Sequence, residues 1–229
     1  MIMEKRDYKI IVVEGVDSSG KATQSKILSE RLKKDEKNVI SVEFPNYNSD
    51  SSSVVKMYLG GEFGTDPNSV SPYAASTFFA VDRFASVKGE WKEFFKDDKI
   101  VIADRYTTSN MVHQASKISD LCEKSKFLDW LYDFEYNILG LPQPDLVIFL
   151  DMPVENARQL MAQRANKIDN SQVKDIHERN EGYLKQSYDN ACFVAEKYSW
   201  KRIKCAIDGK VRAIDDIAEE IYSAVKEVL

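Results

Sequence analysis

The stretch EGVDSSGKATQ (residues 14–24) decides the fold that this chain is expected to adopt. It follows the apolar run KIIVV and continues into SKILSERLKK, which is compatible with a helix. Glycines at both ends of a loop let several backbone N–H groups turn inward, and the positive N-terminal end of the following helix also attracts anions. Residues 15–21 therefore fit the phosphate-binding pattern G-x-x-x-x-G-K, in the strand–loop–helix context that the pattern requires.

The residue after the lysine of this loop departs from the pattern. Ser or Thr at this position supplies a hydroxyl to magnesium, but the chain has Ala22, and Thr23 offers its hydroxyl from a different direction along the helix. We expect Lys21 to supply a mobile positive charge to the phosphates, and Asp104 to hold Mg²⁺ through water. A chance match in a surface loop is the alternative, which the flanking strand and helix disfavour.

Five short apolar runs alternate with longer amphipathic stretches along the chain. The runs lie at residues 10–13, 39–44, 100–103, 146–150 and, more weakly, 203–207. Helical patterns lie at about 21–35, 72–96, 120–139, 153–165 and 173–198, and in the segment that repeats Ile214, Ile217 and Ile221. Continuous apolar runs are typical of parallel strands that are covered on both faces. We therefore predict a three-layer α/β fold, with a five-stranded, mostly parallel sheet and helices on both faces.

Length and composition limit the kinds of protein that this chain can be. Its 229 residues suit a single domain, which we place at residues 1–229, and its formal net charge of −5 argues against a nucleic-acid polymer as the main partner. No apolar stretch is long enough for a membrane span. The cysteines are odd in number and far apart, so we expect reduced thiols in a cytoplasmic protein.

Charged residues follow the third predicted strand, at the end where ligands bind in such sheets. Asp104 and Arg105 come directly after its apolar residues. An Asp at this place can hold magnesium-bound water, and the fork of an Arg can bind two phosphate oxygens at once. A structural salt bridge that caps the strand is the alternative. We favour the functional interpretation because the pair faces the phosphate loop.

Two other segments carry aromatic and basic residues. Phe79 and Arg83 are four residues apart in a predicted helix and so share a face, where they could provide a platform and a donor for a planar base. On spacing alone, a core role for the ring and a surface position for the arginine fit better. Arg164 and Lys167 lie in a segment near 160–172 that could close over phosphates as a short lid, although a solvated helix face fits equally well.

Five segments, taken in order, resemble the thymidylate kinase family. EGVDSSGKATQ resembles the family's phosphate loop, and the other four are EFPNY (43–47), FAVDR (79–83), DRYTTS (104–109) and HERNEGYL (177–184). The resemblance covers nearly the whole chain. It implies a P-loop kinase that transfers the γ-phosphoryl group of ATP to dTMP with Mg²⁺ and that forms a homodimer.

The resemblance also implies which residues bind the base. Phe79 would stack on thymine, and Arg83 would bind the O4 edge. Asn110 and Gln114 would read the rest of the base, and Leu59 would pack near the base and sugar. Phe44 and Pro45, in the F-P segment, are also assigned to the dTMP site.

Further implied roles concern the sugar and the phosphates. Asp17 would accept the 3′-hydroxyl of deoxyribose, and Tyr106 would crowd a 2′-hydroxyl. Arg105 would hold the acceptor phosphate, and Arg164 or Lys167 would contact the transferred group. The residues assigned to ATP are Gly15, Ser18, Ser19, Gly20, Lys21, Ala22 and Thr23.

Other functions fit the same sequence. Another nucleotide or nucleoside kinase of this fold would differ in its acceptor, and Arg83 and Tyr106 predict dTMP over dCMP, dGMP and ribonucleotides. Ala22 keeps open a nucleotide-binding regulatory protein with little activity. A GTPase is disfavoured because NKID (166–169) is predicted to follow a helix, whereas the guanine-reading N-K-x-D motif follows a buried strand.

Overall fold

A parallel β-sheet forms the centre of the computed structural model, which describes residues 7–89, 91, 98–165 and 181–229. Within these residues the sheet has the strand order β2-β3-β1-β4-β5, and each neighbouring pair is parallel. The strands are β1 (Tyr8–Glu14), β2 (Val39–Glu43), β3 (Lys99–Asp104), β4 (Leu146–Asp151) and β5 (Lys201–Lys204). The predicted five-stranded sheet is confirmed, and its first four strands lie close to their predicted positions.

Helices make up most of the remaining described chain. They are α1 (Lys21–Lys34), α2 (Ser53–Gly60), α3 (Pro72–Gly89), α4 (Thr107–His113), α5 (Leu121–Tyr132), α6 (Val154–Ala165), α7 (Glu181–Lys197) and α8 (Ile214–Lys226). Neither α2 nor α4 is predicted from the sequence. The helix predicted over 72–96 is observed as far as Gly89, and residues 90 and 92–97 lie outside the described ranges. The stretch predicted at 120–139 is α5 followed by a π-helix, Asp133–Ile138.

The core lies on both faces of the sheet because successive strand side chains point to opposite sides. On one face, Ile10 and Val12 belong to a buried cluster with residues of α3, α4 and α5. On the other face, Ile11 and Val13 belong to a cluster with residues of α1 and α8. Each fully buried Ile or Val contributes about 1.5–3 kcal/mol. The three-layer architecture follows from this division.

The last part of the sheet differs from the sequence prediction. A single strand was predicted over 203–207, but β5 ends at Lys204 and is followed by a separate short hairpin, Ala206–Ile207 with Lys210–Val211. Asp208 and Gly209 form its two-residue turn with φ values of 50° and 74°. Two consecutive positive φ values suit a tight hairpin turn, so the chain reverses here instead of continuing β5.

The carboxyl ends of the first three strands meet at one edge of the sheet. Asp104, at the end of β3, is in register with Val13 of β1 and with Glu43 of β2. The phosphate loop follows β1, a cis Phe44–Pro45 peptide follows β2, and Arg105 follows β3. The segments that carry the predicted site residues therefore start side by side.

The predicted lid near 160–172 lies only partly within the described residues. Residues 160–165 form the end of α6, and the rest of the segment, with Lys167 and the NKID sequence, lies outside the described ranges. The side chain of Arg164 also lies outside what the structure describes. None of the described helices is both long and apolar enough to cross a membrane.

Candidate active site

The phosphate loop joins β1 to α1 and relies on glycine at both ends. A Cβ atom at Gly15 would lie 2.5 Å from Ser19 Oγ and 3.1 Å from the carbonyl oxygen of Leu150, so a side chain there would collide with its neighbours. Gly20 has a φ of 95°, a left-handed conformation that a Cβ disfavours, and α1 begins at the next residue. The loop thus turns directly into the N-terminus of a 14-residue helix, which provides an anion-binding end.

Lys21 lies folded back against this loop. Its Nζ donates hydrogen bonds to the carbonyl oxygens of Gly15 at 2.8 Å and Val16 at 2.9 Å, and only 7% of the residue is exposed. Burial, and after it the nearby charge of Arg105, lower the pKa of Lys21 to about 8, although carboxylates around the loop partly oppose both effects. Because both partners are carbonyl oxygens of the loop itself, the ammonium group lies beside the place where phosphate oxygens would bind.

Oxygen-bearing side chains, together with two lysines, line a groove beside the loop. Exposed Ala22 lines it together with Ser25, Ser29, Glu43 and the half-buried Asp104. Ser25 Oγ is buried and has no hydrogen-bond partner in the part of the chain that the structure describes. Carboxylate and hydroxyl oxygens suit a hard cation, so the residues present fit a magnesium ion held by Asp104.

Arg105 is the charged centre on the other side of the loop. Its backbone is left-handed, with a φ of 67°, and its guanidinium is ion-paired with Asp17 and lies 3.9 Å from Glu14 Oε1. Burial alone would lower its pKa, but Asp17, Glu14 and Asp104 outweigh burial and raise the pKa of Arg105. The guanidinium is therefore firmly charged and held by carboxylates at the edge of the sheet.

His113 contributes the third contact of this arginine. Its Nε2 lies 3.0 Å from Arg105 Nη1. Because an arginine N–H only donates, Nε2 is the unprotonated, accepting nitrogen of the ring. Its ring stacks on that of Tyr183 at 6.1 Å, and its carbonyl oxygen accepts a hydrogen bond from the Tyr183 hydroxyl at 3.1 Å. Helix α7 thus supports the side chain that orients Arg105.

Glu14 ties the phosphate loop to α4. Fully buried, it accepts hydrogen bonds from the backbone N–H of Gly15 at 3.0 Å and from the hydroxyls of Thr108 at 2.8 Å and Ser109 at 2.7 Å. Sequence reasoning did not single it out as a site residue. Its position in the sequence could have marked it as a site residue, because a carboxylate at the end of an otherwise apolar strand needs buried hydrogen-bond partners.

One cavity, called here the central cavity, lies between Arg105, α3 and α4. It brings together every residue that the resemblance assigned to dTMP, namely Asp17, Phe44, Pro45, Leu59, Phe79, Arg83, Arg105, Tyr106, Asn110 and Gln114. Tyr47, Ser109 and His113 also line it. Asp17 belongs to both the phosphate loop and the cavity, so the two regions are contiguous.

The apolar wall of the central cavity is aromatic. The Tyr106 ring stacks on Trp91 at 5.9 Å and 14° and packs against Phe44 at 5.9 Å, and its hydroxyl donates to the carbonyl oxygen of Pro142 at 3.1 Å. Phe79 is half-buried and lines the cavity, whereas spacing alone favoured a core position for its ring. A flat ring exposed to a cavity is a suitable platform for a planar base.

The polar wall is built around Arg83, which is 2% exposed and not a surface residue as spacing alone suggested. It pairs with the fully buried Glu135 through Nε–Oε2 at 2.8 Å and Nη2–Oε1 at 2.6 Å. Asn110 donates to Glu135 Oε1 at 2.8 Å, and Gln114 Oε1 is buried without a hydrogen-bond partner among the described residues. Glu135 was not predicted as a site residue.

Known proteins match this chain over most of its length. A family model described as thymidylate kinase matches residues 13–206. A probable thymidylate kinase from Thermococcus onnurineus is 31% identical over 222 residues, which are 96% of this chain and 98% of that protein. A thymidylate kinase from Mycobacterium tuberculosis is 32% identical over 172 residues, which are 75% of this chain and 78% of that protein.

The fold has a match among solved structures. The structure of a thymidylate kinase from Candida albicans aligns with a TM-score of 0.72, covering 98% of this chain and 93% of that one. The two sequences are 20% identical, so this likeness concerns the fold alone.

Proposed function

The chain belongs to the thymidylate kinase family and phosphorylates dTMP to dTDP, and we propose that dTMP binds in the central cavity while ATP binds at the phosphate loop. One observation carries the proposal: the residues assigned to dTMP come from five separate segments of the chain, yet they line one cavity that shares Asp17 with the phosphate loop. A donor and an acceptor bound on the two sides of this residue would be in contact.

The reaction depends on orienting the two nucleotides and neutralising the charge of their phosphates more than on a general base. The bond between the γ-phosphorus of ATP and its bridging oxygen breaks, and a new bond forms to a phosphate oxygen of dTMP, which is already ionised near neutral pH. Arg105 would hold the acceptor phosphate, and Lys21 would leave the loop carbonyls to neutralise the donor phosphates. Arg164 and Lys167 remain our candidates for contacting the transferred group.

We propose that Asp104 holds Mg²⁺ through water beside the phosphate loop. The ion would supply charge neutralisation to the phosphates when bound. Asp104 lies at the end of β3 and lines the groove next to Ala22, where the usual hydroxyl is missing. The charge of Asp104 also raises the pKa of Lys21 and so keeps more of the ammonium form.

We further propose that the chain forms a homodimer through α2 and α3. Val54 and Met57 of α2 and Val81 of α3 are exposed by 40%, 36% and 55%. Exposed apolar side chains on neighbouring helices support a pairing surface. Sedimentation of Val81→Asp should show a shift towards monomer, whereas Leu121→Asp, at an exposed apolar residue of α5, should sediment as the wild type does.

A cytoplasmic location is our last assignment. Cys122, Cys192 and Cys205 are all free thiols. Proteins that keep several unpaired cysteines are typical of reducing compartments. Fractionation of cells that express a tagged chain tests this location, and recovery outside the cytoplasm would contradict it.

The function is tested by measuring ADP release with ATP and Mg²⁺ in the presence of dTMP, dUMP, dCMP, dGMP or thymidine. We expect the highest kcat/KM with dTMP and no turnover with thymidine, which lacks the acceptor phosphate. Lys21→Ala is the matched inactive control. Faster turnover with dCMP or dGMP would overturn the base assignments while keeping the kinase, and ATP binding without turnover would favour a regulatory protein.

A further inference from the structure

Glu135 is a buried carboxylate that contacts two residues of the central cavity. Its oxygens accept hydrogen bonds from Arg83 Nε at 2.8 Å and Nη2 at 2.6 Å, and Oε1 also accepts from Asn110 Nδ2 at 2.8 Å. Glu135 is fully buried, and it does not itself line the cavity. Its effect on a ligand must therefore act through Arg83 and Asn110.

These contacts determine which way the amide of Asn110 points. Nδ2 donates one hydrogen bond to Glu135 Oε1 at 2.8 Å and the other to the carbonyl oxygen of Ser76 at 3.1 Å. Both amide N–H groups are thereby used, and the remaining polar atom of the side chain is the acceptor Oδ1. Arg83, by contrast, can only donate. The polar wall therefore offers a donor beside an acceptor.

The π-helix after α5 places Glu135 in this position. The backbone N–H of Leu139 donates to the carbonyl oxygen of Phe134 at 2.9 Å, and the wider turn leaves the adjacent residues Glu135 and Tyr136 both buried. The Tyr136 hydroxyl contacts Thr107 Oγ1 at the start of α4. Single π-turns are frequent at functional sites, and this one presents a carboxylate and a hydroxyl to α3 and α4.

A donor beside an acceptor matches thymine and mismatches cytosine. Thymine presents the O4 acceptor next to the N3–H donor, whereas cytosine presents the N4 amino donor next to the N3 acceptor. We propose that Glu135 is a positioning residue for substrate specificity, which fixes Arg83 as the donor and Asn110 Oδ1 as the acceptor and so excludes cytosine nucleotides. This proposal rests on the proposed binding of dTMP in the central cavity.

A purely structural role explains Glu135 less well. A buried ion pair often stabilises no more than packed apolar residues would, because both charges must be desolvated. Here the pair lies directly behind a ligand cavity, and its second partner is a neutral amide whose orientation it determines. That orientation lets Asn110 donate to Ser76 and Glu135, and it also decides which edge of a base can bind.

The experiment compares wild type with Glu135→Gln, which is nearly isosteric but replaces one acceptor oxygen with an N–H donor. Gln has one acceptor oxygen, so it cannot accept from Arg83 Nε, Arg83 Nη2 and Asn110 Nδ2 together. If its oxygen keeps the Arg83 Nε contact, its N–H group faces Asn110, which is then expected to turn its amide. Kinetics with dTMP and dCMP should show the dTMP-to-dCMP ratio of kcat/KM reduced by about 10- to 100-fold, as expected for one mismatched buried hydrogen bond. The KM for ATP should stay within about twofold, because the loop is untouched.

A matched control removes a carboxylate elsewhere. Asp145 accepts hydrogen bonds from the backbone N–H of Ile10 at 2.9 Å and from Lys9 Nζ at 3.3 Å, at the opposite edge of the sheet. Asp145→Asn should lower the unfolding temperature and leave the dTMP-to-dCMP ratio unchanged. If Glu135→Gln behaves in the same way, Glu135 is structural and the proposal is wrong.

Glu135→Asp decides the question if the Gln variant does not fold. It keeps the negative charge beside Arg83 but is one methylene too short to reach both partners, so we expect a smaller fall in the same ratio. A wild-type ratio in this variant would overturn the proposal. A wild-type enzyme that does not itself prefer dTMP to dCMP would instead contradict the proposed function, so the two failures are distinguishable.

Discussion

Arg105 is ion-paired with Asp17, although the two residues come from loops that follow different strands. Both line the central cavity. They are the groups that we expect to bind the phosphate and the 3′-hydroxyl of dTMP. Binding of this nucleotide would therefore exchange part of an internal ion pair for contacts with the ligand, so each residue influences how the other binds.

The first prediction concerns Asp17→Asn. The change keeps the size of the side chain, removes its charge, and leaves Arg105 held by His113 and Glu14. We expect kcat/KM for dTMP to fall by about 10- to 100-fold, since hydrogen bonds to charged groups contribute about 1.5–3 kcal/mol. Steady-state kinetics at saturating ATP measures the change.

The matched control for this variant is a different substrate. With the 3′-deoxy analogue of dTMP, the acceptor has no hydroxyl to offer residue 17. The loss caused by Asp17→Asn should then shrink to the part that reflects Arg105 alone. An equal loss with both substrates would show that Asp17 acts only through the arginine and would contradict its proposed contact with the sugar.

The second prediction concerns the stability cost of Lys21. Burial lowers the pKa of Lys21 from 10.5 to about 8, so between these pH values the unfolded chain binds more protons than the folded one. The cost to folding is therefore full below about pH 8 and disappears as the pH rises towards 10.5. At about 1.4 kcal/mol per pKa unit, this cost to folding approaches about 3 kcal/mol. The hydrogen bonds that Lys21 donates to the loop carbonyls offset part of it.

Lys21→Met removes this titrating group, so its free energy of unfolding relative to wild type should be highest near pH 7 and should fall as the pH rises to 10.5. Activity should nevertheless drop by orders of magnitude, because the donor phosphates lose their mobile charge. Denaturant unfolding at several pH values measures the first effect. Lys34→Met, at an exposed lysine of the same helix, should not reproduce the pH dependence. A constant difference between Lys21→Met and wild type across the pH range would refute the assignment.

Local features of the fold could be predicted from the sequence, because the residues that determine each feature are adjacent in the chain. The phosphate loop depends on neighbouring residues, and the first four strands begin as apolar runs. Burial on both faces, which such runs predict, holds for β1, β3 and β4 but not for the edge strand β2, where only Val39 is buried. Helix α4 was missed because TTSNMVH is short and polar, with weak helix formers. It is held by tertiary contacts, among them hydrogen bonds from Asn190 Nδ2 to the carbonyl oxygens of Met111 at 2.9 Å and Val112 at 2.7 Å.

The polar wall of the cavity could not be predicted for a different reason. Arg83 and Glu135 are 52 residues apart, and no periodic pattern connects them. The π-turn that brings Glu135 inward also breaks the helical period on which burial predictions rest. The resemblance to the family's motifs identified Arg83 and Asn110, but only the structure shows that the carboxylate of Glu135 lies behind them.

The third prediction concerns Ala22, where the phosphate-loop pattern has a hydroxyl. Ala22 is exposed and lines the same groove as Asp104. Ala22→Ser should lower the Mg²⁺ concentration for half-maximal activity by about two- to tenfold, the effect of one added hydrogen bond or ligand. Asp104→Asn should raise it. Thr77→Ala is the control, because its hydroxyl in α3 donates to the carbonyl oxygen of Ala74 and should not affect Mg²⁺. Unchanged Mg²⁺ requirements in both Ala22→Ser and Asp104→Asn would place the metal elsewhere.

The last prediction separates the stability of the buried ion pair from its function. Arg83→Leu leaves the fully buried carboxylate of Glu135 without its guanidinium partner, which should cost about 3–5 kcal/mol in the free energy of unfolding. Arg83→Leu combined with Glu135→Leu removes both charges and should recover most of that loss. Recovery will be incomplete because Asn110 then keeps only the carbonyl oxygen of Ser76 as an acceptor.

Combining Arg83→Leu with Glu135→Leu should recover stability but not activity. Without Arg83 the cavity loses the donor proposed for the O4 edge of thymine, so the double variant should be stable and still bind dTMP poorly. Urea unfolding and dTMP kinetics on the same preparations measure both quantities. A double variant as unstable as Arg83→Leu alone would show that the ion pair is needed for folding, whereas recovery of stability without activity would show that this charge pair is kept for recognition of the base.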